Sequence, residues 1–228
     1  MIRCLNIRLL IFLSAALIGS PLKAQGVDTS YRTTYYEQKV TMFRLQQDKK
    51  GEIVFIGDSI TDIAEWGEIW SNKRVRNRGI STDNTFGVLA RLDEVLSAQP
   101  KKIFIMIGIN DIARNTPDSV IIANYRKIVE RIRKASPKTQ LYIQSILPTN
   151  NSFTDFIRYQ NKDAIIQKVN AVLQNMAREY GVTYVDLHTA FIDEEGKLNK
   201  RFTNDGVHIN GYGYAKWKEI LQQKRYMN

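Results

Sequence analysis

Cysteine and histidine are the scarcest reactive side chains in this sequence of 228 residues. The single cysteine, Cys4, has no partner for an internal disulfide and excludes a cysteine-rich zinc or iron–sulfur site. The zinc motif H-E-x-x-H, the glycine-rich phosphate loop and the dinucleotide glycine pattern are also missing. Internal repeats, low-complexity segments and linkers are absent as well. The sequence therefore predicts one domain that carries none of these metal-binding or nucleotide-binding motifs.

Acidic residues are outnumbered, with 23 Asp and Glu against 33 Lys and Arg and a formal net charge of +10. Such a charge suits an anionic partner, for example an acidic glycan, a lipid surface or nucleic acid. However, no run of Lys and Arg alternates with aromatic residues. The basic stretches 131–134 and 216–225 also have apolar residues nearby at helical spacing, which is typical of the polar face of a helix. We interpret the charge as a solvated basic surface and expect no nucleic-acid partner.

A hydrophobic run long enough to cross a bilayer, which takes about 20 residues, is also missing. The run Leu9–Gly19 has only eleven residues. Arg3 and Arg8 precede it, and Ala24 is a small residue at a suitable cleavage position. This pattern predicts a secretory signal peptide over residues 1–24 rather than a membrane anchor.

Removal of this segment would leave a single domain over residues 25–228. Cys4 precedes the apolar run, whereas the cysteine of a lipoprotein would follow it. We therefore expect no stable membrane anchor, and export to the periplasm or out of the cell. Monomer and oligomer are not distinguished by the sequence.

Short apolar runs alternate along the domain with longer segments of helical periodicity. The predicted strands are Glu52–Ile56, a brief strand at Val75, Lys102–Ile107, Gln140–Ile146 and Val182–Leu187. The predicted helices are Ser30–Lys49, Ile60–Trp70, Thr85–Leu96, Asp118–Ala135, Asp163–Tyr180 and Gly213–Arg225. We expect Asp118 to cap its helix and Gly181 to adopt a left-handed conformation after Tyr180. Strands that are apolar on both faces predict an α/β fold with a parallel sheet, helices on both sides and a ligand site beyond the carboxyl ends of the strands.

Two predicted strands end in residues that can do chemistry. The segment GDSIT (57–61) places Ser59 at the start of a helix, where its hydroxyl is exposed and the helix N-terminus stabilises nearby negative charge. The alternative is that Ser59 only caps the helix. The segment GIND (108–111) places the amide of Asn110 at the same edge, as a donor to developing negative charge or as a turn-forming residue. We expect Asp111 to brace the loop, without a chemical role.

Two Asp–His pairs are candidates for a general base. Asp205 and His208 lie three residues apart in a glycine-containing loop before the last helix. Asp186 and His188 lie two residues apart at the end of the last strand, where alternate residues share a face. In either pair a carboxylate could hold one ring nitrogen while the other takes a proton from a serine. Residue types alone leave the two pairs nearly equal.

Four segments together resemble the sequence blocks of the SGNH-hydrolase superfamily, the GDSL-type esterases and lipases. The matching residues are Ser59 in GDSIT, Gly79, Asn110 in GIND and His208 in DGVH. Order and spacing agree over roughly residues 50–215, and Ile60 in place of the family's nominal Leu is a conservative departure. The resemblance implies a flavodoxin-like three-layer α/β/α sandwich with five parallel strands in the order 2-1-3-4-5.

The resemblance also implies acyl transfer to water without a metal or cofactor. Ser59 would attack an ester carbonyl, with His208 as the general base and Asp205 orienting the imidazole. The backbone N–H groups of Ser59 and Gly79 and the side-chain amide of Asn110 would form the oxyanion hole. A glycine after a strand is by itself a weak signal, because many such glycines are only turns.

The substrate is predicted more coarsely than the chemistry. The secretory signal and the short loops favour a small acyl group such as acetyl on a carbohydrate. Tyr212 and Tyr214 are candidates for contact with a sugar, whereas Trp66 is expected in the core. A lysophospholipase, lipase or thioesterase of the same superfamily is the alternative, and it would need an apolar trough. A non-catalytic binder of acidic glycans is the alternative from another class.

Overall fold

One sheet of five parallel strands forms the centre of the protein, whose computed structural model describes residues 27–46 and 51–228. The strands are β1 (Ile53–Gly57), β2 (Val75–Gly79), β3 (Lys102–Met106), β4 (Gln140–Gln144) and β5 (Thr183–Val185). Their order is β2-β1-β3-β4-β5 and every pairing is parallel. The α/β class and the strand order are both confirmed. The predicted signal peptide (1–24) and residues 47–49 of the first predicted helix lie outside the described residues.

Helices cover both faces of the sheet. Their bounds are α1 (Thr34–Leu45), α2 (Ser59–Asp62), α3 (Trp66–Ile69), α4 (Thr85–Ser97), α5 (Ile109–Ala113), α6 (Asp118–Ala135), α7 (Asp163–Tyr180), α8 (His188–Phe191) and α9 (Gly211–Gln223). Short 3-10 turns span Ile157–Tyr159 and Lys200–Phe202. Within the described ranges, no helix has the length and apolar character that a membrane crossing requires.

A row of aromatic rings forms the core on one face of the sheet. Phe55, Phe104 and Tyr142 are in register on three neighbouring strands, and their rings stack with centroids 4.8 and 4.3 Å apart. Trp66 of α3 stacks on Phe55 at 3.9 Å, and Trp217 of α9 meets both rings edge-on. On the other face α4, α6 and α7 pack side by side. Because successive strand residues point to opposite faces, the strands are apolar on both.

The predicted helix over Ile60–Trp70 is wrong, because the chain forms two short helices there, α2 and α3. Between them, Glu65 leaves the helical conformation with ψ 67°. The side chain of Asn77 on β2 donates to the carbonyls of Asp62 and Ala64, both at 2.9 Å, which satisfies the ends exposed by the break. Ile63 consequently points outward and is 52% exposed, whereas Trp66 is buried as predicted.

Two predicted helix ends have different outcomes. Gly181 has φ +62° and ends α7 in the left-handed conformation, as predicted. The predicted cap by Asp118 is wrong, because the N-cap position of α6 is Pro117 and no side chain caps it. Asp118 instead forms an ion pair with Lys168 of α7, so its charge joins two neighbouring helices.

The carboxyl edge of the sheet is tightly packed where β2 meets α2. Gly57 and Gly79 are in register at the ends of β1 and β2. A Cβ on Gly79 would lie 2.2 Å from the backbone nitrogen of Asp62, which no side chain can tolerate without a backbone shift. Glycine at position 79 therefore allows the end of β2 to approach the helix that begins at Ser59.

Three buried carboxylates lie beneath the same edge. Burial, with the nearby charges of Asp83 and Asp111, raises the pKa of Asp58 to about 7. Burial likewise raises the pKa of Asp83 and of Asp111 to about 6, although Arg91 pairs with Asp83 at 2.9 Å and Thr85 donates to Asp111. The folded protein thus binds protons at these groups more tightly than an unfolded chain does.

We expect Gly79→Ala to destabilise the fold, because the added methyl group overpacks a backbone contact. The expected loss is about 1–3 kcal/mol in the free energy of unfolding, measured by denaturant or thermal unfolding. Gly211→Ala is the control, since a Cβ there meets no atom within 4 Å and alanine favours a helix. Equal stability of the two variants would contradict the close packing at Gly79.

We also expect stability to depend on pH through Asp58. The pKa of Asp58 is higher in the folded protein than in the unfolded chain, so protonation of Asp58 favours the folded state. This contribution to stability is complete below about pH 3.8 and is lost as the pH rises through about 7. Between pH 5.5 and 8 the wild type should therefore lose about 2 kcal/mol more than Asp58→Asn, whose side-chain oxygen still accepts from Ile60. The burial-lowered pKa of His188 acts in the opposite direction, so the difference between the two proteins is the quantity to measure. Parallel pH profiles would contradict the buried charge.

Candidate active site

The side chains of Ser59, His208 and Asp205 form one hydrogen-bonded chain at the carboxyl edge of the sheet. His208 Nε2 lies 2.9 Å from Ser59 Oγ, across a separation of 149 residues. His208 Nδ1 lies 2.7 Å from Asp205 Oδ2. Because a carboxylate only accepts hydrogen bonds, the proton of the neutral ring lies on Nδ1 and Nε2 accepts from the serine hydroxyl. This arrangement suits removal of the serine proton by the imidazole.

The loop that presents Asp205 and His208 is held by its own hydrogen bonds. Thr203 Oγ1 donates to the carbonyl of His208 at 2.7 Å and accepts from the N–H of Gly206 at 2.9 Å. Gly206 has φ +83°, and a Cβ there would lie 2.6 Å from the carbonyl oxygen of Asn150. A glycine is therefore required at this turn, which brings the aspartate back under the imidazole.

Asp205 is held in its ionised form. Burial by itself would raise the pKa of Asp205, but the N–H groups of Val207 and His208 and the His208 ring donate to the carboxylate and hold its pKa below the usual range. Both backbone donors lie 2.8 Å from Oδ1. The negative charge is therefore available to stabilise a protonated His208.

Ser59 is the first residue of α2, as the sequence predicted. The carboxylate of Asp58 caps this helix by accepting from the N–H of Ile60 at 3.1 Å, so capping is done by Asp58 rather than by Ser59. Ser59 remains partly exposed. In the described part of the chain its N–H has no hydrogen-bond acceptor, which leaves this donor available to a ligand.

The amide of Asn110 is held from two sides. Its Nδ2 donates to the carbonyl of Asp83 at 2.8 Å, and its Oδ1 accepts from the hydroxyl of Tyr159 at 2.6 Å. Asn110 is only 3% exposed and lies in α5, directly after β3. The second Nδ2 hydrogen has no acceptor among the described residues, so the side chain keeps one free donor.

The structure contradicts the prediction that the N–H of Gly79 is free for an oxyanion. This N–H donates to Asn77 Oδ1 at 2.8 Å, and the Asn77 amide cannot turn away because its Nδ2 holds two carbonyls of the α2–α3 break. Gly79 therefore contributes close packing rather than a ligand donor.

Thr82, which the sequence analysis missed, has the free backbone N–H that was expected of Gly79. Thr82 adopts φ +67° in the turn closed by the hydrogen bond from Asp83 N–H to Ile80 O at 3.1 Å. On one side of Thr82, the N–H and hydroxyl of Ser81 donate to the carboxylate of Asp62 in α2. On the other side, the carbonyl of Asp83 accepts from the Asn110 amide. The Thr82 N–H has no acceptor within the described ranges. Nothing in the residue type signals this role, because threonine seldom adopts a positive φ.

Asp186 and His188 do not form the alternative pair. Both oxygens of Asp186 accept from Thr189, at 3.1 Å from its N–H and 2.6 Å from its hydroxyl. The backbone N–H of His188 donates to Ser145 at 2.7 Å, and burial lowers the pKa of its half-buried ring. Asp186 thus binds the first turn of α8, and no hydrogen bond joins its carboxylate to the His188 ring in the described residues.

The two tyrosines predicted as sugar contacts have different outcomes, and a third aromatic residue lies against the site. Tyr214 is buried, and its hydroxyl donates to the carbonyl of Ile60 at 2.7 Å, so it is a core residue rather than a sugar contact. Tyr212 is 66% exposed. Phe156, which the sequence analysis did not select, packs edge-on against the His208 ring with centroids 5.1 Å apart.

Asp111 has the bracing role expected of it. It is fully buried, and its carboxylate accepts from the N–H and the hydroxyl of Thr85 at the start of α4.

Over residues 27–46 and 51–228, the structure contains no group of three or more His, Cys, Asp or Glu side chains arranged to hold a metal ion.

Known proteins with similar sequences cover about three quarters of this chain. Subunit alpha2 of the platelet-activating factor acetylhydrolase IB from Homo sapiens is 28% identical over 177 residues, which cover 75% of this chain and 74% of that subunit. Subunit alpha1 from Rattus norvegicus is 26% identical over 175 residues, covering 74% of this chain and 72% of the subunit.

Solved structures extend the comparison to the whole fold. A Streptococcus pneumonia structure described as a platelet activating factor superposes with a TM-score of 0.77 and 30% identity, covering 83% of this chain and 92% of that one. An acetylxylan esterase from Geobacillus stearothermophilus has a TM-score of 0.63 and 20% identity, covering 79% and 96%. The latter identity shows the fold alone.

The sequence profile of the GDSL-like lipase/acylhydrolase family matches residues 55–216, which include Ser59, Asn110, Asp205 and His208. On this match and on the fold, the chain belongs to the GDSL-like lipase/acylhydrolase family, whose members hydrolyse esters.

Proposed function

We propose that the protein is a serine esterase that removes small acyl groups, foremost acetyl, from carbohydrate esters through an acyl-enzyme on Ser59. The observation that carries this proposal is the continuous hydrogen-bonded chain from Asp205 through His208 to Ser59. It supplies a nucleophile, a base in reach of it and a group that orients the base.

In the first half of the reaction, Ser59 Oγ attacks the ester carbonyl while its proton passes to His208 Nε2. The ionised Asp205 stabilises the resulting imidazolium through Nδ1–H. The imidazolium then gives the proton to the departing alcohol, and the acyl group remains on the serine as an ester.

In the second half, a water molecule attacks the acyl-enzyme. His208 Nε2 takes a proton from this water and returns it to Ser59 Oγ as the carboxylic acid leaves. The enzyme thereby regains its starting protonation state. The residues described here account for every proton in the cycle without a metal or cofactor.

The negative charge on the tetrahedral intermediate needs donors that are already in place. We assign this role to the Ser59 N–H, to the free Nδ2 hydrogen of Asn110 and, in place of Gly79, to the Thr82 N–H. The turn that carries Thr82 is bonded to α2 on one side and to Asn110 on the other. These contacts support convergence of the three donors on one point.

The names of similar proteins support acetyl as the acyl group. The curated relatives are platelet-activating factor acetylhydrolase subunits, and one structural neighbour is an acetylxylan esterase. Both proteins are named for the removal of an acetyl group. They differ in the rest of the substrate, so the acyl group is better supported than the alcohol.

A polar cleft beside the catalytic loop supports a carbohydrate as the alcohol. The cleft has a volume of about 870 Å³ and is lined by none of the catalytic residues. It meets the catalytic loop at Asn150, whose N–H donates to the carbonyl of Gly206 at 2.9 Å. Its lining residues are Asn150, Asn151, Ser152, Ile192, Asp193, Glu194, Glu195, Lys197, Asn199 and Lys200. Nine of these ten are polar or charged, which suits hydroxyl-rich ligands rather than a long acyl chain.

The alternatives are less well supported. A lysophospholipase, lipase or thioesterase needs an apolar trough, whereas this cleft is polar. A binder of acidic glycans needs a cationic surface, whereas three acidic side chains and two lysines line the cleft. Export through the predicted signal peptide remains part of our proposal and agrees with a glycan substrate outside the cytoplasm.

We expect Ser59→Ala and His208→Ala to lower kcat for an acetyl ester by roughly 10⁴-fold or more, because each removes an indispensable step of proton transfer or attack. His188→Ala is the matched control and should retain activity. Steady-state kinetics with nitrophenyl acetate, alongside thermal unfolding, provides the measurement. Loss of activity in His188→Ala with retention in His208→Ala would transfer the base to His188.

A substrate panel tests the acyl group and the alcohol separately. Acetyl and long-chain nitrophenyl esters are compared first, followed by acetylated xylan and monosaccharides, platelet-activating factor and lysophospholipid. We expect higher kcat/KM for acetyl than for long-chain esters, and release of acetate from the glycans. Preference for long chains would reject the acetyl proposal, and salt-sensitive glycan binding without turnover would favour a non-catalytic binder.

A further inference from the structure

The 3-10 turn Ile157–Tyr159 contacts the site at two points. Phe156, directly before it, packs against the His208 ring. Tyr159, its last residue, donates its hydroxyl proton to Asn110 Oδ1 at 2.6 Å. Tyr159 is 6% exposed, and its carbonyl accepts from Thr149 Oγ1 at 3.0 Å, so the ring has little freedom to move. The turn therefore holds a group that the proposed mechanism uses but does not itself face the ester.

Arg158 extends this contact to the surface. Its Nη2 donates to the hydroxyl oxygen of Tyr159 at 3.0 Å, and its guanidinium carbon lies 5.0 Å from the centre of the Tyr159 ring. Both hydrogen bonds are thus donated in the same direction: the Arg158 cation donates to the Tyr159 hydroxyl, and this hydroxyl donates to Asn110. No acidic side chain forms an ion pair with Arg158 in the described portion of the chain, so its charge is not neutralised by a close contact.

We propose that Arg158 and Tyr159 form a relay that positions and polarises the Asn110 amide as an oxyanion donor. This inference rests on the proposed function, and it adds two positioning residues that do not touch the substrate. A planar amide presents either NH₂ or oxygen in a given direction. With Oδ1 bound to Tyr159 and one Nδ2 hydrogen bound to Asp83, the second hydrogen can point in only one direction.

The direction of the donors gives the relay a second effect. Hydrogen bonds in a chain polarise one another, and a cation at the start strengthens those that follow. Withdrawal of electron density from Oδ1 makes the free Nδ2 hydrogen more positive. That hydrogen then stabilises a developing oxyanion better than it binds a neutral ester carbonyl, so the effect falls on kcat rather than on KM.

The chain contains a matched arrangement remote from the catalytic residues. Arg126 donates to the hydroxyl of Tyr180 at 3.0 Å, with its guanidinium carbon 5.5 Å from the ring centre. The Tyr180 hydroxyl, however, donates to the carboxylate of Glu130 and not to a site residue. The same pair of substitutions made there controls for the loss of an Arg–Tyr contact as such.

The experiment is a set of mutant cycles on acetyl-ester hydrolysis. Tyr159→Phe should lower kcat roughly tenfold with little change in KM, because the amide loses its fixed orientation. Arg158→Met should lower kcat about threefold, with partial recovery in Arg158→Lys, and should have no further effect in the Tyr159→Phe background. Arg126→Met and Tyr180→Phe should leave kcat unchanged.

The cycle with Asn110 separates positioning from general loosening. Asn110→Ala should lower kcat by about 100- to 1,000-fold, and Tyr159→Phe should add nothing to that loss. If Tyr159→Phe multiplies the loss in the Asn110→Ala background, or acts on KM alone, the relay is overturned. An Arg158→Met effect that persists without the Tyr159 hydroxyl would overturn the contribution of the arginine.

A second measurement does not depend on turnover. The side-chain amide protons of Asn110, followed by NMR, should exchange faster with solvent in Tyr159→Phe than in the wild type, and unchanged exchange would contradict the positioning of the amide. A wild type that hydrolyses no ester of the panel would defeat the proposed function, whereas active wild type with equally active Tyr159→Phe would defeat only the relay.

Discussion

The hydrogen bond between His208 and Ser59 is the interaction on which the rest of the site depends. It joins residues that are 149 positions apart, and only the sheet makes that contact possible. In a parallel sheet, every carboxyl end lies at the same edge, so the segments after β1 and β3 are brought beside the loop before α9. The 2.9 Å distance between His208 Nε2 and Ser59 Oγ therefore depends on the packing of the helices on both faces of the sheet.

The buried carboxylates beneath that edge cost stability but hold the catalytic groups in place. Asp58, Asp83 and Asp111 are buried within reach of one another's charge, and all three have raised pKa values. Their hydrogen bonds nevertheless fix what lies above them: Asp58 caps the helix of Ser59, and the backbone of Asp83 holds Asn110. Arg91 ties the Asp83 carboxylate to the carbonyl of Gly57. Buried polar groups here cost stability and give the site a single geometry.

A segment outside the family match also supports the site. Helix α1 precedes the matched residues 55–216, yet Tyr35 and Lys39 bind the carboxylate of Asp62 at 2.8 and 2.6 Å. The same carboxylate accepts from Ser81, next to Thr82. The turn proposed to supply an oxyanion donor is therefore held by the nucleophile helix and by α1 together.

The sequence by itself determined the α/β class and nearly all the long elements, and its resemblance to a known family selected Ser59, Asn110, Asp205 and His208. These follow from local periodicity and from short motifs, which do not require knowledge of distant contacts. The pattern could not show that the helix after Ser59 is broken with Asn77 binding the exposed carbonyls, or that Asn77 also binds the N–H of Gly79. Both effects come from one side chain reaching across from a neighbouring strand.

The tertiary structure showed which Asp–His pair is hydrogen-bonded to Ser59, and it alone revealed Thr82, Tyr159 and Arg158. Asp186 lies two residues before His188, but its carboxylate is hydrogen-bonded to Thr189 rather than to the imidazole. Whether a donor or acceptor is free depends on which groups from other elements have already bound it. That occupancy is a property of the packed molecule, since spacing along the chain specifies which groups exist but not which of them remain unpaired.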